Sequence, residues 1–85
     1  MNLIISSSFE KDLIKFLKKN SLYKIKVSKC LGLMLKNIYH PSLRLHKLIG
    51  HENYSVSVDM KIRIIIRLEE DNIFLLRIGN HRQVY

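Results

Sequence analysis

The feature that most constrains this chain is a change of hydrophobic period at its single proline, Pro41. Ahead of Pro41, apolar residues recur every three or four positions; beyond it they alternate. The first spacing builds an apolar stripe on a helix, and the second builds one apolar face on a strand. One switch of this kind predicts helices followed by strands, an α+β arrangement rather than repeated βαβ units.

In detail, Leu3 to Ile5 reads as a first short strand. Ser7-Ser8-Phe9-Glu10 then has the Ser-x-x-Glu spacing of a capping box, so a helix is expected to start there. Its stripe is Phe9, Leu13, Phe16 and Leu17, and Asn20-Ser21 breaks it. A second helix carries Tyr23, Val27, Leu31, Met34 and Ile38, with Leu35 alongside, and is predicted to end at His40-Pro41 because proline disfavours helical geometry in the residue before it. His40 is accordingly expected to cap that helix.

An irregular connection over 43–50 should bury Leu45 and Leu48. Tyr54, Val56 and Val58 then alternate with Ser55, Ser57 and Asp59, and Ile62, Ile64, Ile66 and Leu68 alternate with Arg63, Ile65 and Arg67. A polar turn at 69–72 predicts a hairpin to a last strand over 73–78, closed by Gly79. The order is βααβββ, one domain over residues 1–85, with both helices on one face of a mainly antiparallel sheet. The other face is left to collect Ser55, Ser57, Asp59, Arg63, Arg67 and Arg77, with Ile65 and Leu75 among them.

Charge gives that face a meaning. The formal net charge is +8 on 85 residues, a field that attracts polyanions. Eight of the ten lysines precede Pro41, whereas all five arginines follow it. Arginine presents a planar fork suited to phosphate, so arginines projecting from strands suggest a phosphate-bearing ligand. No apolar run approaches the roughly 18 residues that cross a bilayer, so no membrane association is expected. The start of the chain has no basic region ahead of its short apolar stretch, so no export signal is read and the expected location is cytoplasmic. Cys30, the single cysteine, offers neither a disulfide nor a ligand set, and no metal or other cofactor is expected.

Four histidines are present, without metal spacing. His51 follows Gly50 in a loop tip, whereas His46 and His81 adjoin the arginine face; Gly79-Asn80-His81 is expected to turn the chain so that a side chain projects over the sheet edge. Metal-independent RNA cleavage needs a base for the 2′-hydroxyl, an acid for the leaving 5′-oxygen and cations for the phosphorane. Histidine and arginine meet those needs. Tyr85 is placed to bond a phosphate, stack on a base or lid the sheet.

His40-Pro41, Leu45-His46-Lys47-Leu48-Ile49-Gly50, Tyr54 to Val58, Lys61 to Ile66 and Ile78 to Tyr85, in this order and spacing, resemble the RelE/YafQ toxin family over essentially the whole chain. The resemblance implies a toxin of a type II toxin–antitoxin system: an endoribonuclease that cuts messenger RNA in the ribosomal A site, neutralised by an antitoxin through which operator DNA is bound. It implies catalytic roles for His46, Arg63, His81 and Tyr85 and sets Arg82 near an arginine of the family; with Arg82, the basic Lys47, Arg67 and Arg77 are expected to contact RNA phosphate. Ser55 and Ser57 stand where RelE has two lysines, and Val58 and Ile62 stand at a histidine and an aspartate position of YafQ, so a lysine base is not supported. The alternatives are a non-catalytic ParE-like inhibitor of DNA gyrase and a plain RNA- or ribosome-binding module.

Overall fold

A computed structural model describes all of residues 1–85. In chain order the elements are β1 (Asn2–Ile5), α1 (Ser7–Lys19), α2 (Tyr23–Lys36), a 3₁₀ turn (Pro41–Leu43), β2 (His46–Lys47), β3 (Tyr54–Ser57), β4 (Ile62–Glu69), β5 (Asn72–Asn80) and α3 (His81–Val84). The five strands form one sheet in the order β1-β5-β4-β3-β2. Only the β1–β5 pair is parallel. The α+β reading therefore holds, with two elements the period analysis did not contain: the two-residue edge strand β2 and the terminal α3.

The inner face of the sheet and the two long helices enclose the core. Phe9 of α1, Val27, Cys30 and Met34 of α2, and Ile62, Ile64, Ile66, Ile73, Leu75 and Ile78 of the central strands belong to one cluster of 13 buried residues. Burial pushes the Cys30 thiol up to about 11, so it packs there as a neutral apolar group.

Local chemistry moves several boundaries. Ser6, not Ser7, caps α1, its hydroxyl accepting from the Phe9 amide, so the capping box expected over 7–10 is not formed. α2 stops at Lys36, well before Pro41, because the Asn37 side chain accepts from the Tyr39 amide and offers the backbone a turn in place of another helical one. Ile38 is still buried, but as part of the connection. Leu35 faces solvent, while Cys30 takes the buried place on α2. His40 does not cap α2; its Nδ1 accepts from the Ser42 amide and opens the 3₁₀ turn.

The sheet departs from simple alternation at one place. Ile65 pairs with Arg77 and Ile66 with Leu75, so Leu76 is an extra residue on β5. This bulge turns Leu75 into the core, where it is fully buried, instead of leaving it on the outer face with Arg77. Asp59 also leaves the outer set. It lies in the β3–β4 turn and accepts from Tyr23 Oη and Lys26 Nζ of α2 and from the Lys61 and Ile62 amides. Burial alone would raise its carboxyl, but the bonds from Tyr23, the two amides and Lys26 outweigh burial and hold it at about 2. The same bond raises the Tyr23 phenol, with burial and the Asp59 charge adding to it. Asp59 thus ties the β3–β4 turn to α2.

Candidate functional site

Pairing register places the outer-face residues in rows. His46 on β2 faces Ser55 on β3, Ser55 faces Ile65 on β4, and Ile65 faces Arg77 on β5. One row along, Ser57 faces Arg63, and Arg63 faces Gly79. Directly paired residues point to the same side, so His46, Ser55, Ser57 and Arg63 share the face away from the long helices. Lys47 pairs with Tyr54, whose other partner is Ile66, and this register puts it on the opposite side from His46.

The chain then returns across the sheet as α3. Asn80 accepts from the Gln83 amide, and Gln83 Oε1 accepts from the Asn80 amide, both at 2.9 Å, a reciprocal cap for a single turn. The signal for this cap in the sequence is the Asn-x-x-Gln spacing of Asn80 and Gln83. Gly79 does not end β5; it is buried within it, and a Cβ there would stand 2.7 Å from Gln83 Oε1 and 3.3 Å from Val84 Cγ1. Glycine is needed because α3 folds closely over that position, not because the backbone turns there.

The fold-back brings His81 and Tyr85 to the sheet. Their rings meet edge to face, with centroids 4.2 Å apart, and the Tyr85 hydroxyl donates to Ser55 Oγ. Ser55 and Ser57, read from sequence as open polar positions, are 0% and 7% exposed. Ser57 Oγ accepts from an Arg63 guanidinium nitrogen at 2.9 Å. His81, Tyr85, Ser55 and His46 thus form a continuous run, with Arg63 and Ser57 beside it. His46 is exposed, its Nδ1 3.3 Å from the Arg44 carbonyl.

The remaining arginines differ in how far their charge is already used. The Arg77 Nε lies 2.6 Å from Asp12 Oδ2, which also accepts from the Ile78 amide. Bonded first by hydrogen bond and then by charge, the Arg77 guanidinium is held above its usual range. Arg67, toward the hairpin end, is bound by both Glu52 and Glu69. Arg63 has no carboxylate partner; its guanidinium donates to the Ser57 hydroxyl. Arg82 is exposed on α3. Nowhere do three or more His, Cys, Asp or Glu side chains gather in an arrangement that could hold a metal ion.

The fold, two helices on one face of a mainly antiparallel sheet, is shared with solved structures of small RelE-like toxins. It is similar to the YafQ chain of the Escherichia coli DinJ–YafQ toxin–antitoxin complex, with a TM-score of 0.81 and 20% identity over 98% of this chain and 94% of that one. A metal-bound toxin from Helicobacter pylori gives 0.80 and 24% identity over 100% and 99% of the two chains. The YoeB/ParE toxin of Agrobacterium tumefaciens gives 0.79 and 13% over 95% and 99%. No family model and no curated protein matches the sequence. At these identities the likeness is one of fold.

Proposed function

We propose that this chain is the toxin of a toxin–antitoxin pair and acts as a ribosome-dependent endoribonuclease on messenger RNA in the A site. The observation that carries the reading is Arg63, a guanidinium without a carboxylate, set in β4 on the same sheet face as His46 and as the Ser55 hydroxyl that holds Tyr85, whose ring meets His81. An arginine left unpaired in this setting is suited to an anion that arrives.

In the reaction the 2′-hydroxyl attacks the adjacent phosphorus, and its proton passes to one histidine. The bond to the 5′-oxygen breaks as the other histidine protonates it, leaving a 2′,3′-cyclic phosphate and a 5′-hydroxyl. His46 and His81 are the two proton carriers, Arg63 stabilises the charged phosphorane, and Tyr85 positions the substrate. Arg82 adds positive field toward RNA phosphates; Lys47, expected to do the same, lies on the opposite side of the sheet from His46 and does not face the site. Arg67 and Arg77 add to that field only to the extent that their carboxylates release them. Its partner is an antitoxin, as the existence of a DinJ–YafQ complex suggests for a neighbour of the same fold. Binding of operator DNA then passes through the antitoxin, and the cytoplasm is the setting.

Primer extension on messenger RNA in a translating extract tests this. Codon-phased cuts are expected, falling about 10²–10³-fold in Arg63→Ala and strongly in His81→Ala. Intact RNA together with inhibited gyrase would replace the reading with the non-catalytic ParE-like one.

A further inference from the structure

The bulge at Leu76 and the fold-back of α3 leave an open cleft of about 560 Å³ that shares Tyr85 with the outer-face cluster. This lies within the range of about 300–1,000 Å³ usual for small-molecule sites. Ile65 and Leu76 line it from the sheet, Leu48 and Ile49 from the loop before β3, and Val84 and Tyr85 from the C-terminal segment. Ile65 is 4% exposed yet lies outside the inner core cluster, so its burial belongs to this side of the sheet.

The polar groups at the cleft are unequal. Ser6 is used up, its hydroxyl donating to the Leu76 carbonyl and accepting from the Phe9 amide. Arg77 is held by Asp12. Asn53 is different: its carbonyl accepts from the Leu48 amide and closes the loop, while its side-chain amide has no partner in the protein. Gly50, at φ +75, lets that loop turn. Tyr85 spends its hydroxyl on Ser55, so what it offers the cleft is the ring.

We propose that this cleft is a nucleobase subsite for the RNA bound at the Arg63 cluster, with the Asn53 amide reading the edge of the base and Tyr85 contributing the aromatic wall. The inference rests on the ribonuclease reading for its location, because Tyr85 belongs to both the cleft and the reacting cluster. An apolar floor, an aromatic wall and two planar hydrogen-bonding groups, the Asn53 amide and the His51 imidazole, suit a flat ring system with a hydrogen-bonding edge. A peptide strand is disfavoured, since the neighbouring β5 edge is already taken: Ser6 bonds the Leu75 and Leu76 carbonyls, and Asp12 takes the Ile78 amide.

The test titrates the full chain with the four nucleoside 3′-monophosphates and, separately, inorganic phosphate, following backbone amides by NMR. The nucleotides are expected to shift 48–53, Ile65 and Leu76, with at least one base preferred, while inorganic phosphate shifts only the surroundings of Arg63. Asn53→Ala is expected to weaken the preferred nucleotide about tenfold and to redistribute cuts among codons in primer extension. Ile49→Ser, at a side chain that is 99% exposed and so free to change without unfolding, should weaken all four alike. Identical responses to nucleotides and phosphate, or an unchanged codon distribution in Asn53→Ala, overturn the subsite while leaving cleavage standing. Base-dependent shifts in the cleft with no cleavage by the unmodified protein keep the subsite and overturn the ribonuclease reading instead.

Discussion

The two faces of the sheet are built from adjacent residues of the same strands, yet they solve opposite problems. On β4, Ile62, Ile64 and Ile66 enter a dry core beneath two helices, whereas Arg63, Ile65 and Arg67 between them face a thin cover of one helical turn. The inner face is stabilised by apolar area and needs no particular chemistry beyond shape. The outer face keeps polar groups that are satisfied one by one: Ser55 by Tyr85, Ser57 by Arg63, Arg77 by Asp12. Stability is therefore concentrated on one side and the proposed chemistry on the other, so substitutions on the two sides should separate the two properties.

The largest effect is expected from Phe9→Ala. Phe9 is fully buried under the inner face, and its loss should cost about 3–5 kcal/mol in urea unfolding. A loss below about 1 kcal/mol would show that the helices do not seal the core as described. Next is the Asp59 tie between α2 and the β3–β4 turn. Its carboxyl is held at about 2 against an ordinary 3.8, so it stabilises the fold above pH 3.8 and loses that contribution as pH falls from about 3.8 toward 2. Allowing for its partial exposure to solvent, the amount is about 1–2 kcal/mol, and Asp59→Asn should flatten the acid limb of the stability profile.

Smaller again is Gly79→Ala, expected to cost about 1 kcal/mol as the added methyl lifts Gln83 and Val84. The loss of the His81–Tyr85 ring contact in NMR, together with slower cleavage, checks it. The smallest effect on stability belongs to Arg63→Ala, under about 1 kcal/mol in the same urea assay, although its effect on cleavage is the largest of the set. A fall in stability as large as that of Phe9→Ala would make Arg63 a structural residue and end the division between the faces.

The inner face was legible in the sequence because burial there repeats at the period of its element. From Ile62 to Leu68 every second residue is apolar, and this assigned Ile62, Ile64, Ile66 and Leu68 to one face although Ile65 is apolar as well. β5 misled at Leu75 because a bulge adds a residue without any mark in the hydrophobic pattern. α2 was overextended because Pro41 drew attention from Asn37, whose side chain ends the helix first. On the outer face the ingredients were readable but their commitments were not. Asp12 sits 65 residues from Arg77, and only the folded chain shows that it occupies that guanidinium. The cap over the site lay in four residues, too few for periodicity to register, though Asn80 and Gln83 carried its spacing.

β5 sits between β1 and β4, and it is the last strand of the sheet to be synthesised. The pair Leu3↔Ile73 joins positions almost a chain length apart, so β1 waits without a neighbour while everything between is translated. Closing so long a loop precedes most of the reward from pairing, which puts sheet assembly late in the folding order. His81 and Tyr85 follow β5, so the reactive face is completed only after the core beneath it. On the proposed ribonuclease function, a nascent chain that has not yet reached His81 and Tyr85 is inert toward the ribosome that is making it.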